Sequence, residues 1–87
     1  MSWRVILSRQ AAKDAKNLTR SGLKPKTQKL LAVVEENPFQ NPPAYEKLSG
    51  NLASLYSRRI NRQHRLVYRV DSEQRVVHVL RMWTHYE

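Results

Sequence analysis

The amino-acid sequence predicts an α+β fold: an N-terminal strand, a two-helix hairpin and then a three-stranded antiparallel meander. The first half of the chain carries apolar residues at helical spacing between clear helix start and stop signals. The second half carries three strand-like runs separated by short polar turns. The chain has 87 residues, 40% of them hydrophobic, so we expect a single domain over residues 1–87 with one core.

The first half of the chain predicts one strand and two helices. Residues 3–7 are a short β-type run, and Ser8 can cap the helix that follows. Gly22 marks the end of that helix, whose apolar positions recur at helical spacing: Ala11, Ala12, Ala15 and Leu18. A second helix is predicted from Lys24-Pro25, with Pro in its first turn, to Asn37 before the next Pro.

The second half predicts an irregular connection followed by the meander. Residues 38–53 contain three of the four prolines and one of the two glycines, which favours a long functional loop. The strand-like runs span residues 54–60, 65–70 and 75–83, separated by polar turns. We expect the helices to cover one face of the sheet and leave the other open.

Strand alternation assigns side chains in residues 65–70 to these two faces. Leu66, Tyr68 and Val70 share one face, whereas Arg65, Val67 and Arg69 share the other. Arginines of the preceding run, Arg58 and Arg59, fall on both faces. The sequence therefore predicts a basic open face beside the Pro-rich loop, where we expect an RNA site.

The charge balance indicates a polyanionic partner. Sixteen Lys and Arg against seven Asp and Glu give a net charge of +9 and a pI near 10.5. A field of this strength attracts nucleic acid first, and anionic membranes or acidic proteins after it. Beyond Lys47 every basic residue except histidine is an arginine, whose planar fork binds phosphate bidentately.

Several classes of chemistry and location are made improbable by the sequence. It has no Cys, no nucleophile-elbow motif, no metal-binding His spacing and no Gly-rich phosphate loop. We therefore expect no cofactor and no metal. The short apolar run at the N-terminus is interrupted by Arg4, which predicts a cytoplasmic protein without a membrane span.

Acid–base cleavage of RNA fits the residues that are left. RNA supplies its own nucleophile, the 2′-OH, so an enzyme needs a base, a cation for the phosphorane and an acid for the leaving oxygen. Candidates are Glu46 in the Pro-rich loop, Arg65 at a strand start, and the terminal His85 and Tyr86. Each of these residues alone is more often a solvated surface residue, so the residue types by themselves leave a non-catalytic reading open.

Two stretches resemble a known family. "SRRINRQHRLVYRV" at residues 57–70 and the terminal "HYE" are similar to the RelE/ParE superfamily of bacterial toxins, specifically its YoeB/Txe branch. The stretch "PFQNPPAYEKLSGNLASLYSRRINRQHRLVY" follows the pattern of that branch in order and spacing. The chain departs from the pattern by a longer spacing from Arg81 to His85 and by the added Glu87.

The resemblance implies a RelE-like domain with a sheet of the microbial-ribonuclease type and a ribosome-dependent mRNA endoribonuclease. Glu46 would then be the general base, Arg65 would stabilise the scissile phosphate, His85 would be the general acid and Tyr86 would position the RNA. Five residues are expected to contact RNA or support that contact: Lys47, Arg58, Arg59, Arg62 and Arg69.

The same resemblance implies partners. It implies inhibition by a cognate acidic antitoxin of the YefM/Axe kind, action on mRNA at the ribosome, and room for a homodimer. Two alternatives stay open: a ParE-like toxin with a different target such as a DNA topoisomerase, and a non-catalytic basic module that binds nucleic acid.

Overall fold

The computed structural model describes residues 3–48 and 55–83. In this part of the chain two helices and five strands follow one another as β1 (Arg4–Leu7), α1 (Arg9–Arg20), α2 (Lys24–Glu36), β2 (Tyr45–Lys47), β3 (Leu55–Arg59), β4 (Arg65–Asp71) and β5 (Val76–Arg81). The strands form one sheet in the order β1-β5-β4-β3-β2, in which β1 is parallel to β5 and all other neighbours are antiparallel. The predicted α+β class with its helical hairpin and meander is confirmed.

The helix boundaries follow the local signals. The Ser8 hydroxyl accepts a hydrogen bond from the Ala11 amide at 2.9 Å, which caps α1. Gly22 ends that helix with a φ of +76°, a conformation that favours glycine because it has no Cβ. Pro25 occupies the first turn of α2, and Asn37 terminates that helix in an extended conformation.

The core lies between the helices and one face of the sheet. On β4 the alternation is as predicted for Leu66, Tyr68 and Val70, which are buried in the core cluster, and for the exposed Arg69, whereas Val67 on the face predicted to be open is buried too. The helices contribute their apolar stripes, and α1 packs against β1 and β5. Buried helical residues in this cluster are Ala11, Leu18 and Val34.

The predicted irregular connection over residues 38–53 is partly wrong. It contains the three-residue strand β2, whose central residue Glu46 lies directly opposite Ser57 of β3. A three-residue strand between prolines and glycine is too short to show a period of two in the sequence. It exists because β3 offers it a hydrogen-bonding edge.

The last strand is shorter than predicted at both ends. Arg75 has a φ of +55°, so it belongs to the turn and β5 begins at Val76. A residue in the left-handed region cannot continue a strand. β5 ends at Arg81, and Met82 and Trp83 follow as a bend.

Asp14 anchors the end of β5 to α1. Its carboxylate is 1% exposed and accepts hydrogen bonds from the Met82 amide at 3.0 Å and from Arg81 Nε at 3.3 Å. Gln10 donates a third bond at 3.0 Å. Burial raises the pKa of this carboxyl, but these hydrogen bonds outweigh burial and hold the pKa below its usual value. Asp14 is therefore a buried, hydrogen-bonded carboxylate, whereas most carboxylates on helices are solvated.

The two described helices contain 12 and 13 residues. Neither of them, in residues 3–48 and 55–83, is long and apolar enough to cross a membrane.

Candidate active site

Glu46, Ser57 and Arg65 meet on the sheet face that points away from the core. Arg65 Nη2 lies 2.7 Å from Glu46 Oε1, and Arg65 Nε donates to Ser57 Oγ at 2.7 Å. The three residues come from β2, β3 and β4, which are adjacent in the sheet. The structure thus brings together two of the predicted catalytic residues, Glu46 and Arg65.

The two charged partners differ in exposure. The Glu46 side chain is 69% exposed, whereas that of Arg65 is 20% exposed. The buried Ser57 hydroxyl accepts from Arg65 Nε and the Glu46 carboxylate accepts from Nη2, so the guanidinium is fixed at two of its three nitrogens. The carboxylate is accessible to a substrate, and the arginine is held in place beside it.

Further arginines share this face. Arg59 is directly opposite Arg65 in the β3–β4 register. Arg69 is four residues beyond Arg65 on β4, so strand alternation puts it on the same face as Arg65. Both are exposed, as is Arg62 in the β3–β4 turn. The predicted RNA-contacting residues Arg59 and Arg69 therefore extend the Glu46–Arg65 pair into a basic surface, and Arg62 lies at its end.

Lys47 occupies a different position. It is opposite Tyr56 in the β2–β3 register, and it follows Glu46 directly along the strand. Successive strand residues point to opposite faces, so the backbone of Lys47 directs its side chain away from the face that carries Glu46. Lys47 is therefore not part of the face that carries the Glu46–Arg65 pair, and its contact with RNA stays a prediction.

Arg58 is also placed differently from the expectation. It is 0% exposed, and its guanidinium bonds to the carbonyl oxygens of Pro38, Gln40 and Pro43 and to the Tyr68 hydroxyl. A side chain with no exposed surface does not reach RNA. Direct RNA contact by Arg58 is therefore corrected to an internal role.

His85 and Tyr86 lie outside the described residues. The chain can be followed to Trp83, whose ring stacks on His64 with centroids 4.0 Å apart and planes 16° apart. His64 directly precedes Arg65. The described chain therefore ends two residues before His85, with Trp83 stacked on the residue that precedes Arg65 in sequence.

The arrangement offers acid–base and phosphate-binding groups. A carboxylate and a guanidinium 2.7 Å apart form a base next to a phosphate ligand. Residues 3–48 and 55–83 contain no group of three or more His, Cys, Asp or Glu side chains that could hold a metal ion.

Two important residues, Ser57 and Asp14, were not predicted. Ser57 alternates with Arg59 along the strand, so the pattern could have placed its hydroxyl on the face of Arg65. Asp14 follows Ala11 by three residues and precedes Leu18 by four, which puts it in the buried stripe of α1. Both signals are present in the sequence.

The fold corresponds to that of small toxins with solved structures. The chain is similar to a YoeB/ParE toxin from Agrobacterium tumefaciens, with a TM-score of 0.84, 27% identity and coverage of 95% of this chain and 99% of that one. It is also similar to the toxin in a YoeB–YefM complex from Staphylococcus aureus, with a TM-score of 0.78, 33% identity and coverage of 97% and 98%.

Sequence comparison gives the family. The profile described as "YoeB-like toxin of bacterial type II toxin-antitoxin system" matches residues 10–86. Toxin YoeB of Mycobacterium bovis is 34% identical over 74 residues, which cover 85% of this chain and 74% of that toxin. Toxin YoeB of Streptomyces coelicolor is 39% identical over 49 residues, 58% of its own length. The chain belongs to the YoeB-like toxins of bacterial type II toxin–antitoxin systems.

Proposed function

We propose that this toxin is a metal-independent endoribonuclease that cleaves mRNA at the ribosome and so inhibits translation. The observation that carries the proposal is the Glu46–Arg65 pair, held by Ser57 on an open face rich in arginine. The net charge of +9 supports a polyanionic substrate. The family and the cytoplasmic location expected from the sequence are consistent with this substrate.

The proposed reaction uses the substrate's 2′-OH as nucleophile. Glu46 accepts the hydroxyl proton, and the 2′ oxygen forms a bond to the adjacent phosphorus. The phosphorus–5′ oxygen bond then breaks, leaving a 2′,3′-cyclic phosphate and a free 5′ hydroxyl. Arg65 stabilises the charge that builds on the non-bridging phosphate oxygens, because Ser57 and Glu46 hold its guanidinium in place on this face.

In this mechanism His85 gives the leaving 5′ oxygen its proton, and Tyr86 positions the RNA by stacking or hydrogen bonding. His85 and Tyr86 follow Trp83 by two and three residues, and the assignment of both rests on the resemblance of the terminal "HYE" to the family pattern.

Nucleotide-resolved cleavage of mRNA on programmed ribosomes tests the proposal. We expect Glu46→Gln and His85→Gln each to slow cleavage roughly 10²- to 10⁴-fold, the usual contribution of a general acid or base. Glu36→Gln, an exposed carboxylate of α2, is the matched control and should cleave like wild type. A wild-type protein that arrests growth with intact mRNA and damaged DNA would instead support a topoisomerase poison.

A basic toxin of this family is expected to bind an acidic antitoxin, as the YoeB–YefM complex of S. aureus indicates for its own toxin. A groove of about 300 Å³ beside α2 supports this, since Leu30, Val33 and Ile60 line it and Lys26, Lys29 and Arg59 flank them. We expect Lys29→Glu to weaken antitoxin binding in calorimetry and Lys13→Glu on α1 to leave it unchanged. Equal affinity of both variants would exclude the groove as the antitoxin-binding site.

A dimer, as in the YoeB dimer of S. aureus, is tested by sedimentation.

A further inference from the structure

We infer that Arg58 is a positioning residue that fixes the Pro-rich loop and through it the catalytic strand β2. The inference rests on the proposed function for its catalytic consequence, but the loop contact itself is independent of that function. Arg58 follows Ser57 and precedes Arg59 in the sequence, yet the three side chains differ in exposure and in the groups they contact. Ser57 holds Arg65, Arg59 is exposed, and Arg58 is buried in the core side of the sheet.

Burial of Arg58 needs an explanation, because arginine is almost never fully buried unless it is paired. Neither of the two ion pairs within residues 3–48 and 55–83 includes Arg58. Its acceptors are instead neutral oxygens. A buried cation is tolerated only where hydrogen bonds replace the lost water, and this site supplies four of them.

The acceptors converge from one segment of chain. Nη1 donates to the Pro43 carbonyl at 2.6 Å, and Nη2 donates to the carbonyls of Pro38 at 3.0 Å and Gln40 at 2.8 Å. These residues belong to the connection between α2 and β2. One planar guanidinium therefore fixes three points along six residues of irregular backbone.

A second buried side chain completes the arrangement. The Tyr68 hydroxyl accepts from Arg58 Nε at 3.1 Å and donates to the Pro38 carbonyl at 2.8 Å. Burial raises the pKa of this phenol, although the neighbouring Arg58 charge acts in the opposite direction. The hydroxyl therefore stays protonated in the neutral range and keeps its donor.

The loop leads directly to the proposed base. Tyr45 is the first residue of β2 and lies opposite Arg58, whose guanidinium carbon is 4.9 Å from the Tyr45 ring centroid. Glu46 comes next. β2 has three residues and, within the described chain, pairs only with β3, so its placement depends on the loop that precedes it.

Lysine cannot replace Arg58 in this role. Its ammonium is a compact, strongly hydrated charge with three tetrahedral donors, whereas the three carbonyls and the hydroxyl are arranged around a planar fork. Arg58→Lys therefore keeps the positive charge and removes the geometry. Displacement of Glu46 by about 1 Å is enough to reduce a rate roughly 100-fold.

Two measurements on the full-length protein test the inference. In Arg58→Lys we expect faster amide hydrogen exchange in residues 38–48, with β4 and β5 unchanged. We also expect single-turnover cleavage on saturating ribosomes to fall roughly 10- to 100-fold, with the half-saturating ribosome concentration unchanged. Arg4→Lys makes the same chemical change on β1, the opposite edge strand, and should alter neither measurement.

A mutant cycle with Glu46 separates positioning from a general loss of structure. If Arg58 acts through Glu46, Arg58→Lys should change the residual cleavage by less than about twofold once Glu46→Gln is present. Equal losses in both backgrounds, or wild-type exchange in residues 38–48, would overturn the inference. If Arg58→Lys does not fold, Tyr68→Phe takes its place, with an expected loss of roughly 2- to 10-fold.

The two proposals fail separately. Wild-type protein that cleaves no ribosome-bound mRNA would refute the proposed function, and the exchange of residues 38–48 would still decide the inference about Arg58. Wild-type cleavage with unchanged exchange and rate in Arg58→Lys and Tyr68→Phe would refute the inference alone.

Discussion

Two charged side chains are fully buried in the described part of the molecule, and they lie in different regions of it. Asp14 lies on α1 and contacts the end of β5, the strand with which β1 pairs in parallel. Arg58 lies beneath the loop that leads to β2 at the other edge of the sheet. Each binds backbone groups of an irregular segment, and each segment adjoins a predicted catalytic residue.

The two regions satisfy their buried charges in different ways. Asp14 accepts from two neutral groups and from Arg81, a partly exposed cation. Arg58 donates only to neutral oxygens. We therefore expect substitution of Asp14 to change mainly the free energy of unfolding, and substitution of the exposed charged face of β2, β3 and β4 to change mainly cleavage.

The largest effect that separates the two regions is expected from Arg65→Ala. Removal of the phosphate ligand should slow mRNA cleavage roughly 10²- to 10³-fold. The free energy of unfolding should fall by only about 1 to 2 kcal/mol, because the ion pair with exposed Glu46 contributes little and the main loss is the hydrogen bond to the buried Ser57 hydroxyl. Single-turnover cleavage and urea denaturation measure the two effects, with Arg4→Ala as control. A large loss of stability would remove the contrast between the regions.

Asp14→Ala should show the opposite behaviour. It leaves the buried Met82 amide without its acceptor, so we expect the free energy of unfolding to fall by about 2 to 3 kcal/mol. Glu36→Ala, at an exposed position in α2, should stay within about 0.5 kcal/mol of wild type. Urea denaturation measures both variants. Equal stability of Asp14→Ala and Glu36→Ala would contradict the anchor.

Acid should remove the contribution of Asp14. Its folded-state pKa lies below the unfolded value, so its stabilisation is complete above about pH 3.9 and is lost as the pH falls through the lower folded-state value. The stability difference between wild type and Asp14→Asn should therefore narrow only below about pH 4. Thermal unfolding of both proteins from pH 7 to pH 2 measures this stability difference. A stability difference that narrows between pH 7 and pH 5 would show that a group other than Asp14 causes the pH dependence.

The smallest effect is expected from Ser8→Ala, at about 1 kcal/mol. Ser8 caps α1 and also donates to the Leu80 carbonyl at 2.9 Å, so its loss weakens the same end of β5 that Asp14 holds. Because both residues contact this end of β5, the double variant with Asp14→Ala should lose less than the sum of the single losses. The exposed Ser21 gives the matched control, Ser21→Ala. Strict additivity would show that the two contacts act independently.

Features encoded locally could be predicted from the sequence. The Ser8 cap, the Gly22 terminus and Pro25 in the first turn of α2 each depend on a few neighbouring residues, and all three are confirmed. The alternation over residues 65–70 also placed Leu66 and Arg69 correctly, because it needs only the period of an extended chain.

Features that depend on distant contacts could not be predicted in the same way. β2 exists because it pairs with β3, across a connection whose sequence favours a loop. Arg58 is buried because carbonyls 15 to 20 residues away converge on it, and a charged residue in a strand otherwise indicates exposure. The Glu46–Arg65 contact was suggested by the family pattern, and its geometry depends on three strands.

The parallel pairing of β1 with β5 has a consequence for how the protein is made. Ser8 and Leu80 are 72 residues apart in sequence, yet they form one hydrogen bond in the finished sheet. During synthesis β1 has no strand partner in the described sheet until β5 has been added, and the part of α1 that packs on β5 is uncovered until then. Closing so long a loop is slow and late, and it follows the local formation of the helices. The sheet that carries the proposed site is therefore completed only after the β5 segment has been synthesised.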